Sequence, residues 1–302
     1  MARKYAINGF IHMKDIHRKR GDVNNSKFAS MRGLIFLLVF GQVVFAQVPL
    51  SVMSYNIRYD NPEDGIHSWT NREMHVSELL DFYRADIIGL QEALAHQFND
   101  LQKVLTHYNS YGLGREDGLM DGEFCPIFWK RSRFDLEEKG TLWLNASGEI
   151  GKKGWDAATT RIASWVILYD LDREKQVVII NTHFDHKGRK ARLESAKKIN
   201  ALIESQSWKD VIVMGDLNCN PYSEPISELK KTLQRANDLS AYIPYGKTFT
   251  YGGFEVNNPP GEEIDHVFIS EGFRVTKMRT IGDSRDGAYP SDHLPVHVYL
   301  TW

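Results

Sequence analysis

The chain has 302 residues, of which 42% are apolar and 12% aromatic. That composition excludes a disordered or fibrous chain and suits a globular protein with a sizeable core. The net charge is only −2, but it is unevenly distributed along the sequence.

Residues 1–30 are polar and basic, without periodicity. Met31-Arg32-Gly33 then leads into LIFLLVFGQVVFA, Leu34 to Ala46, followed by Gln47. A short positive region, a 13-residue apolar run and a small residue at Ala46 form the layout of a secretory signal peptide. That run is too short for a bilayer, which takes about 20 residues. The expectation is a signal peptide over 31–46, a natural start at Met31 with residues 1–30 an over-extended reading of the gene, and a secreted or periplasmic protein without stable membrane insertion. The first 46 residues hold eight Lys/Arg and two Asp/Glu, which leaves 29 basic and 37 acidic residues, a net −8, for the rest. So acidic a protein does not hold nucleic acid by a general basic surface.

Residues 48–302 show no internal repeat and no low-complexity linker, so one domain is expected there. VPLSVMSYNI (48–57) reads as a strand ending in polar residues, and MHVSELLDFYRA (74–85) as a helix. DIIGLQ (86–91) is a buried strand run, and ALAHQFNDLQKVLTHY (93–108) places Leu94, Phe98, Leu101, Val104 and Leu105 on one helical face. Strands are predicted at 124–130, 162–170, 177–183, 211–216, 264–269 and 294–300, a charged amphipathic helix at 189–205, and loops at 112–122, 144–156 and 251–263. Many strands and few helices point to packed sheets with helices outside. Cys125 and Cys219 stand apart and form neither a metal-ligand spacing nor a disulfide framework.

The polar residues collect at strand ends. SYNIRYD carries Asn56, GLQE carries Glu92, NTHFDH carries His183, Asp185 and His186, and VIVMGDLNCNP carries Asp216 and Asn218. IDHVFI adds Asp265, and SDHLPV adds Asp292 and His293 just before the last strand, where a Pro costs no ladder hydrogen bond. A buried strand has no packing reason to stop in Gln-Glu or Asp-x-Asn, because polar groups near a core cost energy unless paired. Any one of these could be a turn; six together suggest a site on a sheet rim.

The chemistry they suit is metal-assisted attack of water on a phosphate ester. Glu92 is a hard oxygen ligand of the kind Mg²⁺ prefers. Asp216 can orient and deprotonate water, and Asn56 and Asn218 can donate hydrogen bonds without adding negative charge. His183 and His293 can donate to phosphoryl oxygens, with Asp265 orienting His293 and keeping it protonated. HFDH (183–186) also matches the tail of a zinc-hydrolase His-x-His-x-Asp-His pattern, but its first His would fall on Asn181. No P-loop, Gly-x-Ser-x-Gly or Cys-x-x-Cys occurs.

The ordered set SYN, LQE, NTH, GDLN, ID and SDH resembles the endonuclease/exonuclease/phosphatase superfamily over essentially all of 48–302. The resemblance implies an α+β, four-layer α/β/β/α sandwich of two mainly antiparallel sheets, and a Mg²⁺-dependent phosphoesterase site in which Mn²⁺ is the alternative ion. It places Asn56, Glu92 and Asp292 on the metal side, and His183, Asp216, Asn218, Asp265 and His293 in the catalytic set. Arg58 stands where abasic-site endonucleases carry an Asp. MSYNIRYD, Trp69-x-x-Arg72 and GEFCPIFW (122–129) more resemble the deadenylase–nocturnin-like branch and its secreted bacterial relatives.

The leading expectation is a secreted, monomeric phosphodiesterase or phosphatase acting on a phosphate ester, either a small molecule or nucleic acid. The alternatives are a scavenging nuclease using KRSRF (130–134) or HKGRKAR (186–192) to track a backbone, a sphingomyelinase-like lipid phosphodiesterase, and a non-catalytic binding module. Retention of Glu92, Asp216 and His293 speaks against the last.

Overall fold

The computed structural model describes residues 48–240, 244–259 and 261–302; the expected signal peptide and the segment before it lie outside them. In chain order the elements are β1 (Leu50–Asn56), a 3₁₀ turn (Pro62–His67), α1 (Trp69–Tyr83), β2 (Ile87–Gln91), α2 (Ala95–Val104), β3 (Tyr108–Tyr111), β4 (Ile127–Lys130), β5 (Phe134–Trp143), β6 (Ile162–Asp170) and β7 (Lys175–His183). There follow α3 (Arg189–Gln206), β8 (Val211–Asp216), α4 (Glu224–Leu229), β9 (Gln234–Arg235), α5 (Ala236–Leu239), β10 (Tyr245–Gly246), β11 (Asp265–Ile269), β12 (Arg274–Thr280) and β13 (Val296–Thr301).

The strands form two sheets. One has seven strands in the order β10-β12-β13-β1-β2-β4-β3, and the other six in the order β5-β6-β7-β8-β11-β9. Antiparallel pairs dominate, with parallel pairs at β1–β2, β10–β12 and β7–β8. Alternation along each strand explains the layering. Val52 of β1 and Ile212 of β8 face a central core between the sheets, together with Ile179, Val267 and Val298. Their neighbours Met53 and Val213 face outward, Met53 under α1 and α2 with Val76, Leu80 and Leu101, and Val213 under α3 and α4 with Ile199, Ile203 and Leu229. Both faces of the central strands are thus covered, which is why 86–91 and 211–216 read as unbroken apolar runs. The four-layer sandwich expected from the sequence is the observed one.

The helix expected over 74–85 begins at Trp69 and stops at Arg84, whose left-handed backbone (φ 44°) closes it. The helix expected over 93–108 ends at Val104, because Tyr108 leaves it to open β3.

At Gly89 the two sheets are in close contact. A Cβ on Gly89 would lie 2.8 Å from Asn181 Cγ and Met214 Sδ. There Asn181 of β7 reaches across to β2: its amide donates to Leu90 O at 2.7 Å and to Pro126 O at 2.9 Å, and its Oδ1 accepts from Gln91 Nε2 at 2.6 Å. Asn181, where the zinc-hydrolase pattern would need its first His, is a buried clamp between the sheets.

Candidate active site

Register brings the scattered motifs together. In the six-stranded sheet, His183 lies beside Asp216 and Asp216 opposite Asp265, so three strands offer their polar ends on one rung. In the seven-stranded sheet, Asn56 lies beside Gln91, which puts Glu92 at the same rim. Arg58, Glu92 and Asn218, each just past a strand end, have left-handed backbones (φ 58°, 62° and 49°). A non-glycine residue holds that conformation at a cost of about 1 kcal/mol or more, and here it turns the chain sharply away from the sheet at three positions around one cleft.

That cleft, of about 450 Å³, is lined by Glu92, His183, Asp216, Asn218, Asp292 and His293. The other two sequence-nominated residues touch this lining. Asn56 spends both amide hydrogens on carboxylates, donating to Glu92 Oε1 and to Asp216 Oδ2 at 3.0 Å each. It therefore ties the two sheets together through their acidic groups, and its Oδ1 accepts from Arg58 N. Asp265 Oδ2 accepts from His293 Nδ1 at 2.8 Å, and His293 Nε2 lies 3.7 Å from Asp216 Oδ2. Ser291 fastens the SDH turn by donating to Asn56 O.

The environment sets the charges. Burial, reinforced by Asp265, pushes the Asp216 carboxyl up to about 7, against the opposing pull of His293. Burial works against a charged His293, but Asp265 and Asp216 outweigh it and hold the imidazole well above its ordinary range. His183 goes the other way: burial and the nearby Arg161 and Arg115 keep it neutral. Its Nε2 accepts from Asn218 Nδ2 at 3.0 Å. Burial also raises Glu92, but His293, Asn56 and the Tyr59 N–H bring it below its usual value. Asp292 is raised by burial.

Oxygens of Glu92 and Asp216 and a ring nitrogen of His293 lie within 4.8 Å of one another, and with His293 protonated it is the carboxylates that can meet a cation. Asp292 lines the same cleft, and both cysteines are buried and absent from its lining. An oxygen-rich donor set of crowded carboxylates, two of them raised by burial, fits a hard divalent cation that would relieve their repulsion.

Other polar residues have structural duties. Arg72 is buried and donates to four backbone carbonyls, those of Ile57, Arg58, His67 and Pro290, so it braces the two turns that carry Arg58 and Asp292. Asp185 accepts from the N–H groups of Ala158, Thr159, Lys187 and Gly188. Arg58, in place of a carboxylate, pairs with Asp64 and reaches to 3.9 Å from Asp292. The sequence reading missed Arg115, Glu123, Arg161 and Tyr251, all in the cleft wall. Arg161 immediately precedes β6, which runs antiparallel to β7, so it lies at the same rim as the end of β7. The signal was available: a polar cluster at a strand's start counts as much as one at its end when the neighbour is antiparallel.

Two face-to-face sheets sharing a rim of carboxylates and imidazoles are the architecture of a large group of hydrolases. The sequence pattern of the Endonuclease/Exonuclease/phosphatase family matches residues 53–293, and the chain belongs to that family. Its members are hydrolases acting on phosphoester bonds and are generally divalent-metal dependent. Among solved structures, a family protein from Bacteroides thetaiotaomicron is 31% identical, with 85% of this chain and 99% of that one covered and a TM-score of 0.82. A mannosyl-6-phosphatase from the same organism is 32% identical, with 84% and 100% covered and a TM-score of 0.80. The catalytic domain of human nocturnin, 22% identical over 84% of this chain and 93% of its own at a TM-score of 0.65, shares the fold. An uncharacterized protein of Acanthamoeba polyphaga mimivirus is 24% identical over 73% of this chain, which spans 38% of that protein's length.

Proposed function

We propose that this chain is an exported, Mg²⁺-dependent phosphatase that hydrolyses phosphate monoesters of small sugars. The observation that carries this reading is the joining, in one cleft, of Glu92, Asp216 and His293 with the Asp265–His293 pair. The sugar phosphate follows from the similarity to the mannosyl-6-phosphatase over the whole of that protein.

Glu92 and Asp292 would hold the cation, with Asn56 fixing Glu92 in place; once bound, it supplies positive charge to the phosphoryl oxygens. Asp216 takes the proton of the attacking water. Its pKa of about 7 matches that task near neutral pH, and the Asn218 N–H and Asn56 amide fix both of its oxygens. His293, kept protonated by Asp265, donates to the charge that builds on the phosphoryl group. Neutral His183 and Asn218 complete the opposite side.

A nuclease reading has less support. Lys130 pairs with Asp86, and Arg133 with Asp86 and Asp170. They sit past Trp129, whose partner Ile87 is at the end of β2 away from Gln91 and the site. Among the described residues no helix is long and apolar enough to cross a membrane.

The test is phosphate release from a panel of mannose 6-phosphate, glucose 6-phosphate, mononucleotides, inositol phosphates, oligonucleotides and bis-p-nitrophenyl phosphate, with Mg²⁺, Mn²⁺ or EDTA. Turnover of sugar phosphates that EDTA abolishes is expected. Turnover confined to diesters, or undiminished by EDTA, refutes the reading. Export is tested by N-terminal sequencing of protein recovered outside the cytoplasm, which should begin at or near Gln47.

A further inference from the structure

One guanidinium in the cleft wall has unspent donors. Arg161 is only 5% exposed, yet among the described residues its Nε and Nη1 have no hydrogen-bond partner. Its Nη2 donates to His186 Nδ1 at 3.1 Å. The nearest carboxylates lie beyond hydrogen-bond reach: Asp185 Oδ2 is 3.7 Å from Nε, and Glu123 Oε2 is 3.8 Å from Nη1. Both carboxylates are already occupied. Asp185 accepts four backbone N–H groups, and Glu123 Oε2 takes Arg115 Nη1 at 2.5 Å. Beside them His183 Nδ1 is also buried without a hydrogen-bond partner among the described residues, and Arg115, Glu123, Arg161, His183 and His186 line the same cleft.

Burying a charged donor without a partner is costly, and buried polar groups in folded proteins are almost always satisfied. Nε and Nη1 point to different edges of the guanidinium, so the pair that can meet two oxygens of a phosphate is the end-on fork of Nη1 with the second hydrogen of Nη2. We propose that Arg161 is a specificity-determining residue that grips two oxygens of a terminal phosphate group and thereby selects phosphate monoesters over diesters. This rests on the phosphatase reading above. A monoester has three non-bridging oxygens and nearly two negative charges, enough to meet the acidic, cation-binding wall and the Arg161 fork together. A diester has two such oxygens and one charge, so its second ester carbon must face either the fork or the opposite wall. His186, which accepts from Arg161 through Nδ1, holds the fork in plane and presents its Nε2–H at the rim.

The experiment compares wild type with Arg161→Gln and Arg161→Lys on p-nitrophenyl phosphate and bis-p-nitrophenyl phosphate, with inorganic phosphate as inhibitor. Loss of a charged, two-point contact should lower kcat/KM for the monoester about 10- to 100-fold and raise the phosphate inhibition constant comparably. The diester rate should hardly change, and Arg161→Lys should recover part of the loss. Arg161→Gln gives up the His186 contact and two long ion-pair contacts, so it should melt only slightly below wild type without phosphate, while only wild type is stabilised by adding it. Equal losses on both esters, an unchanged phosphate inhibition constant, or a variant that melts far below wild type would each overturn the assignment. A wild type that turns over the diester alone sinks the phosphatase reading and the selectivity with it. The phosphate constants then still decide whether Arg161 grips the anion.

Discussion

Replacing Asn181 by Ala removes the polar clamp between the sheets and leaves the rest of β7 intact. Three hydrogen bonds go: two from the amide to Leu90 O and Pro126 O, and one accepted from Gln91 Nε2. Gln91 keeps only longer contacts, at 3.3 Å, to Ser54 Oγ and Gly89 O. Pro126 O keeps the Leu90 N–H. A buried group left unpaired costs about 1–3 kcal/mol, so two strongly affected partners and a small void make the loss on the order of 3–5 kcal/mol. For a protein of this size that corresponds to a fall in Tm of roughly 10 °C. Asn181→Asp separates hydrogen bonding from volume, because it has the same shape but faces two carbonyl oxygens with a carboxylate. It should destabilise at least as much as Ala. The assay is urea unfolding with matched m-values, together with a Gln91→Ala double-mutant cycle, which should show coupling of about 1 kcal/mol or more. A loss below about 1 kcal/mol in Asn181→Ala, or an Asn181→Asp protein as stable as wild type, would refute the clamp.

Glu92→Gln keeps the Asn56 contact but removes a charge, so half-maximal activity should need at least tenfold more Mg²⁺ with folding retained; an unchanged Mg²⁺ titration removes Glu92 from the ion. Asp216→Asn and His293→Ala should lower kcat by about 10²–10⁴ and 10²–10³ with little change in KM. Asp265→Ala should be a milder His293→Ala, and the double variant scarcely worse than His293→Ala alone, whereas losses that multiply would show that the two do not act as a pair. His266 is buried, with Nε2 donating to Cys219 O and Nδ1 accepting from Arg235, so the fold holds it neutral and burial lowers its pKa from 6.5 to about 4. A depressed histidine contributes stability that is intact above its unfolded pKa and lost as pH falls toward the folded one. Unfolding free energy should therefore drop by about 2–3 kcal/mol from this group between pH 7.5 and 4.5, and His266→Gln should flatten that slope; a slope that survives the substitution points to other groups.

The layers were legible because period-two alternation and unbroken apolar runs report burial directly. The strands read at 162–170 and 211–216 match β6 and β8 to the residue. β5 went unread because Phe134–Trp143 is an edge strand whose middle faces solvent with Asp, Glu and Lys, the charges that keep edges from pairing further. β12 was hidden by a register shift between Val275 and Lys277, which breaks the alternation. The site motifs stood out because each strand ended in groups that no core needs. Arg161 did not, since an arginine before a strand looks solvated until the opposite strand is known. Trp69-x-x-Arg72 was legible only as a motif, because the carbonyls that Arg72 binds belong to turns far apart in sequence.

β1 takes β13 as one of its two neighbours, with Leu50 opposite Leu300. During synthesis from N- to C-terminus, the strand that carries Asn56 waits for almost the whole described chain before that edge is filled. The same final stretch delivers Asp292 and His293. A chain without residues 291–301 lacks both this partner of β1 and two ionisable side chains of the cleft, so closure of the seven-stranded sheet and completion of the cleft lining depend on the same short stretch.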